Sequence, residues 1–256
     1  MVLLHGLGGT WHIWKPVIPL LETSFRVHAI TLPGHQDGPD MPAGITASRD
    51  SLADTLMAEL KKRGIEKPHL VGNSLGGLMS LELARRGYAK SVTALSPAGA
   101  WQTEKDYKAV AKPFKIVYAI LPILIFLTTL FLRFAGVRKA LNKKAMEHGD
   151  RVPENECRRA MHSLRQTHIL PELLQSMGAD GPIPSMQAGE VPITIAWCER
   201  DKVIPYEVYG KPMVATIGGC TSVMVRDVGH VPMYDDPQQV ADVVRNTIQK
   251  AEGVEA

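Results

Sequence analysis

Cysteine is scarce: Cys157, Cys198 and Cys220 are three in 256 residues, odd in number and far apart. Neither a disulfide framework nor a CxxC metal spacing can be written from them, so a reducing compartment is the expected setting. Charge of one sign is also lacking. Twenty-nine Lys and Arg against 26 Asp and Glu leave a net +3, too small a surplus for a phosphate-binding surface without a clustered stripe and a nucleic-acid motif. No nucleic-acid partner is expected. The first residues, MVLLHGLGG, carry no basic leader, apolar run and small-residue cleavage site, and a cytoplasmic protein is the resulting expectation. No internal repeat or low-complexity tract stands out. What remains, 45% hydrophobic and 21% charged residues, is the make-up of an ordinary globular chain, long enough for one domain with a sizeable core.

Short runs rich in Val, Ile and Leu alternate with stretches of helical period. The runs are Val2 to Leu4, Arg26 to Ile30, His69 to Val71, Val92 to Leu95, Val191 to Trp197 and Ser222 to Val225. Such alternation predicts an α/β fold: a mostly parallel, doubly wound sheet with helices on both faces. One helix carries Leu52, Leu56, Met57 and Leu60 at spacings of three and four and stops at Gly64. The last helix carries Val240, Val243, Val244 and Ile248. The alternation breaks between about residues 100 and 189, where no strand is expected; these residues are read as an inserted helical cap on a core made of 1–99 and 190–256. Within the cap, Ile116 to Leu132 is uncharged, interrupted by Pro122, and just short of the roughly 18 to 20 apolar residues that span a bilayer. Arg133 to Arg165 holds nine Lys or Arg against four Asp or Glu.

The strongest chemical signal is Gly72-Asn73-Ser74-Leu75-Gly76-Gly77, directly after the run at 69–71 and before a helical stretch. A serine on a strand-to-helix turn of this kind needs very small residues two before and two after it, because the backbones must approach there. Its hydroxyl is a weak nucleophile without a base, and the base needs an anion to hold its tautomer. His230 sits on a loop after the last apolar run, whereas His148, His162 and His168 fall inside the cap. Asp201 follows Val191 to Trp197 and so lies at a strand's carboxyl end, where open α/β sheets place their sites; Glu199 and Asp227 compete for the role. The glycine-rich loop His5-Gly6-Leu7-Gly8-Gly9 can aim amides at a developing oxyanion, with Leu7 and Leu75 as donors. It lacks the third glycine of a dinucleotide loop, Trp11 standing in that place.

These segments, with Leu32-Pro33-Gly34-His35 and Asp201 followed by Pro205, stand in one order and together resemble the α/β-hydrolase superfamily. The resemblance implies Ser74 as nucleophile, His230 as base, Asp201 as acid, and Leu7 and Leu75 as oxyanion donors, with no cofactor and no metal. Serine at the elbow, not aspartate, argues against dehalogenase or epoxide-hydrolase chemistry. Three departures are visible. The chain starts at what would be the family's third strand, lacking the usual first two; Cys198 stands where many relatives have glycine, as a small buried hydrophobe; and Thr31 replaces a frequent aspartate. The implied activity is a serine hydrolase cleaving an ester or thioester of an apolar, medium or long acyl substrate. Carbon–carbon bond hydrolysis of aromatic-degradation products, or a non-catalytic receptor for an apolar ligand, remain as alternatives. For the apolar cap segment three readings stay open: a buried cap helix over an apolar pocket, a spanning helix, and peripheral docking on a membrane with the basic surplus toward anionic lipid.

Overall fold

The computed structural model describes residues 1–189 and 191–253. Six parallel strands form the central sheet: β1 (Val2–Leu4), β2 (His28–Ile30), β3 (His69–Asn73), β4 (Ser91–Leu95), β6 (Ile193–Cys198) and β8 (Thr221–Val225), in the order β2-β1-β3-β4-β6-β8. All six runs read from the sequence lie in this sheet. They are legible because a strand covered on both faces is apolar at successive positions. Val2 and Leu4 face one hydrophobic cluster while Leu3 between them faces the other, and all three are fully buried.

On the first face pack α2 (Arg49–Lys62) and α3 (Leu75–Arg85); on the second pack α1 (Ile18–Glu22) and α9 (Pro237–Glu252). Helix α2 begins at a reciprocal cap, in which Ser48 Oγ accepts from the Ser51 amide and Ser51 Oγ from the Ser48 amide. It buries Leu52, Ala53, Leu56 and Leu60 and stops before Gly64, whose φ of +68° suits glycine.

Four helices separate β4 from β6: α4 (Glu104–Thr128), α5 (Ala135–Asn142), α6 (Glu154–Gln166) and α7 (Leu170–Asp180). Two expectations for this region need correction. A strand is present, β5 (Met186–Gln187), which pairs in parallel with β7 (Ile217–Gly218) just after α8 (Lys211–Thr216). Two residues are too few to carry a period. The apolar segment after Lys115 is also not a buried helix over the pocket: only 11% of the most apolar 18-residue stretch of α4 is buried. Its inward side is taken up by Ala111 and Leu121, and the surplus of apolar residues points outward.

Because the sheet is parallel, the loops after β1, β3, β6 and β8 emerge at one rim. Strand order reverses at β1, where the chain first adds β2 on one side and then β3 on the other. The loops after β1 and β3 therefore diverge around a crevice, the usual position of a site in an open α/β sheet.

Candidate active site

Ser74 joins β3 to α3 with φ 56° and ψ −114°, a conformation that L-residues rarely adopt and that the surrounding backbone enforces. Its amide donates to Leu95 O at 3.0 Å, and its carbonyl accepts from the Leu78 and Ala98 amides, each at 3.0 Å. The turn is tight enough that a Cβ on Gly72 would overlap the Gly76 carbonyl, and one on Gly76 would overlap the carbonyl of Leu4. These contacts are the physical reason for glycine at both places. Ser74 Oγ has no protein hydrogen-bond partner among the described residues and faces a cavity of about 270 Å³.

His230, on the loop between β8 and α9, lines the same cavity, as does Leu7. Its Nδ1 lies 2.7 Å from Asp201 Oδ2, and both residues are buried. The carboxylate can only accept there, so the proton sits on Nδ1 and Nε2 is left as the basic nitrogen. Asp201 is itself held by its loop: Oδ1 accepts from the Val203 and Ile204 amides at 2.9 and 2.8 Å. The competing carboxylates are engaged elsewhere. Glu199 accepts from Arg226 Nη1 at 2.7 Å and from the Asp227 amide at 2.9 Å, and Asp227 pairs with Arg200. His148, His162 and His168 do not line the cavity. The structure thus brings Ser74, His230 and Leu7 onto one cavity, with Asp201 directly behind the imidazole. It shows no hydrogen bond between Ser74 Oγ and His230 among the described residues.

The loop after β1 is shaped by a buried histidine. The Leu32 amide donates to His5 Nε2 at 2.9 Å, so Nδ1 carries the proton and donates to Gly6 O at 2.7 Å. Gly6 O also accepts from the Gly9 amide at 3.1 Å, which closes a turn around Leu7 and Gly8, and both of these line the cavity. Neither the Leu7 nor the Leu75 amide has a protein acceptor among the described residues. Both residues wall a second, smaller chamber of about 40 Å³ that also reaches Ser74. Helix α6 closes over this loop, with Ser163 Oγ donating to Gly9 O at 3.2 Å and Leu164 against Gly8.

His5 and His35 are fully buried and stand edge to face with ring centroids 5.0 Å apart. Burial drives both below the ordinary histidine range, His35 to about 4. A lowered folded-state value means that the unfolded chain takes up protons first. The stability contribution is complete above about pH 6.5 and is lost as pH falls from there toward 4. Urea unfolding at pH 7.5 and 4.5 is expected to show about 2 to 3 kcal/mol of loss from His35 alone. The profile should be flatter in His35→Gln, and equal steepness in that variant would refute the assignment.

Three groups escaped the sequence reading. Asn73 Nδ2 donates to His230 O at 2.9 Å and to Leu95 O at 3.2 Å, tying the serine turn to the histidine loop. Asp235, buried, accepts from the Gly229 and Glu147 amides through Oδ2 at 2.8 and 2.9 Å, and from the His148 amide through Oδ1 at 2.7 Å. It fastens the histidine loop to the segment after α5. Its only sequence cue, the place just before the helix-capping Asp236, suggests a cap and nothing more. The third is a charged corner of the cavity formed by His12, Glu156 and Arg159, with Lys15 Nζ 2.6 Å from Glu156 Oε1. Burial, followed by Arg159 and Lys15, lowers the pKa of His12. Cys198 is fully buried against the Ser96 hydroxyl, and burial pushes its thiol far up, so it stays a protonated, space-filling group.

A family model described as the alpha/beta hydrolase family matches residues 1–243. Among curated proteins, the chain is 29% identical to Epoxide hydrolase EphH of Mycobacterium tuberculosis over 202 residues, 78% of this chain and 94% of that one. It is 38% identical over 84 residues to a pimeloyl-[acyl-carrier protein] methyl ester esterase of Aeromonas hydrophila, a third of this chain (33%) and 31% of that protein. Among solved structures, a thermophilic esterase from Thermogutta terrifontis superposes with a TM-score of 0.72 at 18% identity, covering 98% of this chain and 89% of that one. At that identity the likeness establishes the fold.

Proposed function

The chain belongs to the alpha/beta hydrolase family, and from that premise we propose that it is a serine hydrolase cleaving an ester or thioester of an apolar acyl substrate through an acyl-enzyme. The observation that carries this reading is the buried pair of His230 Nδ1 and Asp201 Oδ2 at 2.7 Å, beside a cavity that His230 shares with Ser74. His230 Nε2 takes the Ser74 proton as Oγ attacks the carbonyl carbon, and the amides of Leu7 and Leu75 donate to the oxyanion. The imidazolium, steadied by ionised Asp201, returns its proton to the departing alcohol or thiol. Water then loses a proton to Nε2 and attacks the acyl carbon; the carbon–Oγ bond breaks as the imidazolium returns that proton to Ser74 Oγ, and the acid leaves. A hydroxyl at position 74 suits acyl transfer, whereas opening an oxirane through an ester intermediate requires a carboxylate there.

The shape of the site supports an apolar acyl group. Ile13, Met146, Val152, Leu164 and Tyr234 line the larger cavity, and Trp101, Tyr107, Phe114 and Met177 line the small chamber that also reaches Ser74. The larger space takes the acyl chain, and the small one admits only a compact group. Labelling by a fluorophosphonate, with the adduct located by mass spectrometry, should place it on Ser74. With an aryl-ester series, kcat/KM should rise about three- to fourfold per methylene from acetate upward until the cavity fills, following about 0.8 kcal/mol per buried CH2. No adduct at Ser74, or a series that falls from acetate onward, would sink the proposal.

A further inference from the structure

Helix α4 has two unlike faces. The inner one carries Ala111, Phe114 and Leu121, of which Phe114 walls both chambers beside Ser74, and it packs on α6 and α7. The outer one carries Ile116, Ile120, Ile123, Phe126 and Leu127, exposed by 47 to 81% and spaced as one helical stripe. Leu130, Phe131 and Phe134 continue the stripe past the helix end at 77, 52 and 49% exposure. With a large side chain presenting about 150 Å² or more when free, the patch is on the order of 700 Å², beyond the few hundred Å² that soluble monomers ordinarily leave bare.

Charge identifies what covers it. From Lys105 to Lys144 the chain has nine Lys or Arg and a single acidic residue, Asp106. Lys112 and Lys115 are exposed just before the stripe, and Arg133, Lys139, Lys143 and Lys144 just after it. Arg133 lies over the Phe134 ring at 4.7 Å. Arg138 is engaged internally, donating to Leu132 O at 2.7 Å. A second protein of ordinary composition would not call for so one-sided a frame, whereas an apolar stripe bordered by cations matches acyl chains beneath anionic headgroups. By length and composition α4 as a whole could cross a bilayer, since it extends the short uncharged run back to Glu104. Spanning would strip its inner face from α6 and α7 and carry Lys112 and Lys115 into hydrocarbon. Lying flat keeps both faces satisfied.

We propose that α4 and the turn after it form an interfacial anchor that docks on an anionic lipid bilayer, apolar stripe down and basic residues at the headgroups. Docking does not depend on the proposed hydrolysis, and its readout needs no turnover. In flotation with phosphatidylcholine vesicles with and without about one quarter phosphatidylglycerol, the wild type is expected to float with the anionic vesicles and to stay behind with the neutral ones. Raising salt from about 0.05 to about 0.5 M should release it. The triple variant Ile123→Asp, Phe126→Asp, Leu130→Asp should partition at least about tenfold less, as should Lys139→Glu, Lys143→Glu, Lys144→Glu. These side chains are exposed, so both variants should keep the wild-type circular dichroism spectrum and melting temperature. Failure of the wild type to float with either vesicle, equal flotation in neutral vesicles, or full flotation of the triple-aspartate variant would overturn the proposal. So would a wild-type dimer that the aspartates dissolve without any lipid binding, which would assign the stripe to a second copy of the chain.

Discussion

Ser74→Ala is expected to lower kcat for aryl-ester hydrolysis by about 10^4- to 10^6-fold with little change in KM, the size of loss that follows removal of a nucleophile acting in concert with its base. The substitution isolates chemistry from folding. Alanine has the same Cβ as serine, so the strain of φ 56° is unchanged, and the hydrogen bonds that Ser74 makes run through its backbone N–H and carbonyl. The thiol that lines the cavity, Cys157, is a rival nucleophile. Burial raises its thiol pKa and it receives only a long contact from Asn142 Nδ2 at 3.7 Å, so little thiolate is available at neutral pH. Cys157→Ala should therefore stay within a few-fold of wild type. Steady-state kinetics on both variants decide the matter: near-normal turnover in Ser74→Ala would move the chemistry off the serine.

Asp201→Asn carries the second large effect, a fall in kcat of about 10^4-fold with the fold intact. The amide keeps one oxygen to accept from the Val203 and Ile204 amides, so the loop after β6 has no reason to move. Its NH2 then faces His230 Nδ1, where two donors cannot meet. The imidazole must shift its proton to Nε2, and the nitrogen that should receive the Ser74 proton is no longer a base. A melting temperature close to wild type, beside a collapse in kcat, is the expected pattern. Activity within tenfold of wild type would show that the short contact between His230 and Asp201 has no part in turnover.

Several parts of this arrangement are legible in the amino-acid sequence. Runs such as Leu70-Val71 and Val92 to Leu95 read as strands because burial on both faces leaves no polar alternation to confuse them. Gly72 and Gly76 read as a tight turn because nothing larger than hydrogen fits against the neighbouring carbonyls. Asp201 and His230 could be chosen over their competitors by following the strand ends, since parallel strands deliver every carboxyl-end loop to one rim. Proximity at that rim followed from topology; contact did not. The link from Asn73 to the His230 carbonyl joins residues 157 apart, and Asp235 reaches back 88 and 87 positions to Glu147 and His148.

The apolar run after Lys115 marks the same boundary from the other side. Its composition is plain and leaves a buried cap helix, a spanning helix and a peripheral anchor open, and the structure turns most of it outward. Periodicity tells which residues share a face of a helix, because that depends on local geometry alone. Which neighbour covers that face depends on where α6 and α7 come to rest. The amino-acid order by itself determined the strands, the turn that holds Ser74 and the rim to which the loops converge, since each rests on local sterics or on the burial of a single element. Only the tertiary structure decided that Asp201 meets His230, that Asp235 staples the histidine loop, and that α4 bares its stripe, because packing between segments distant in the chain sets each of these.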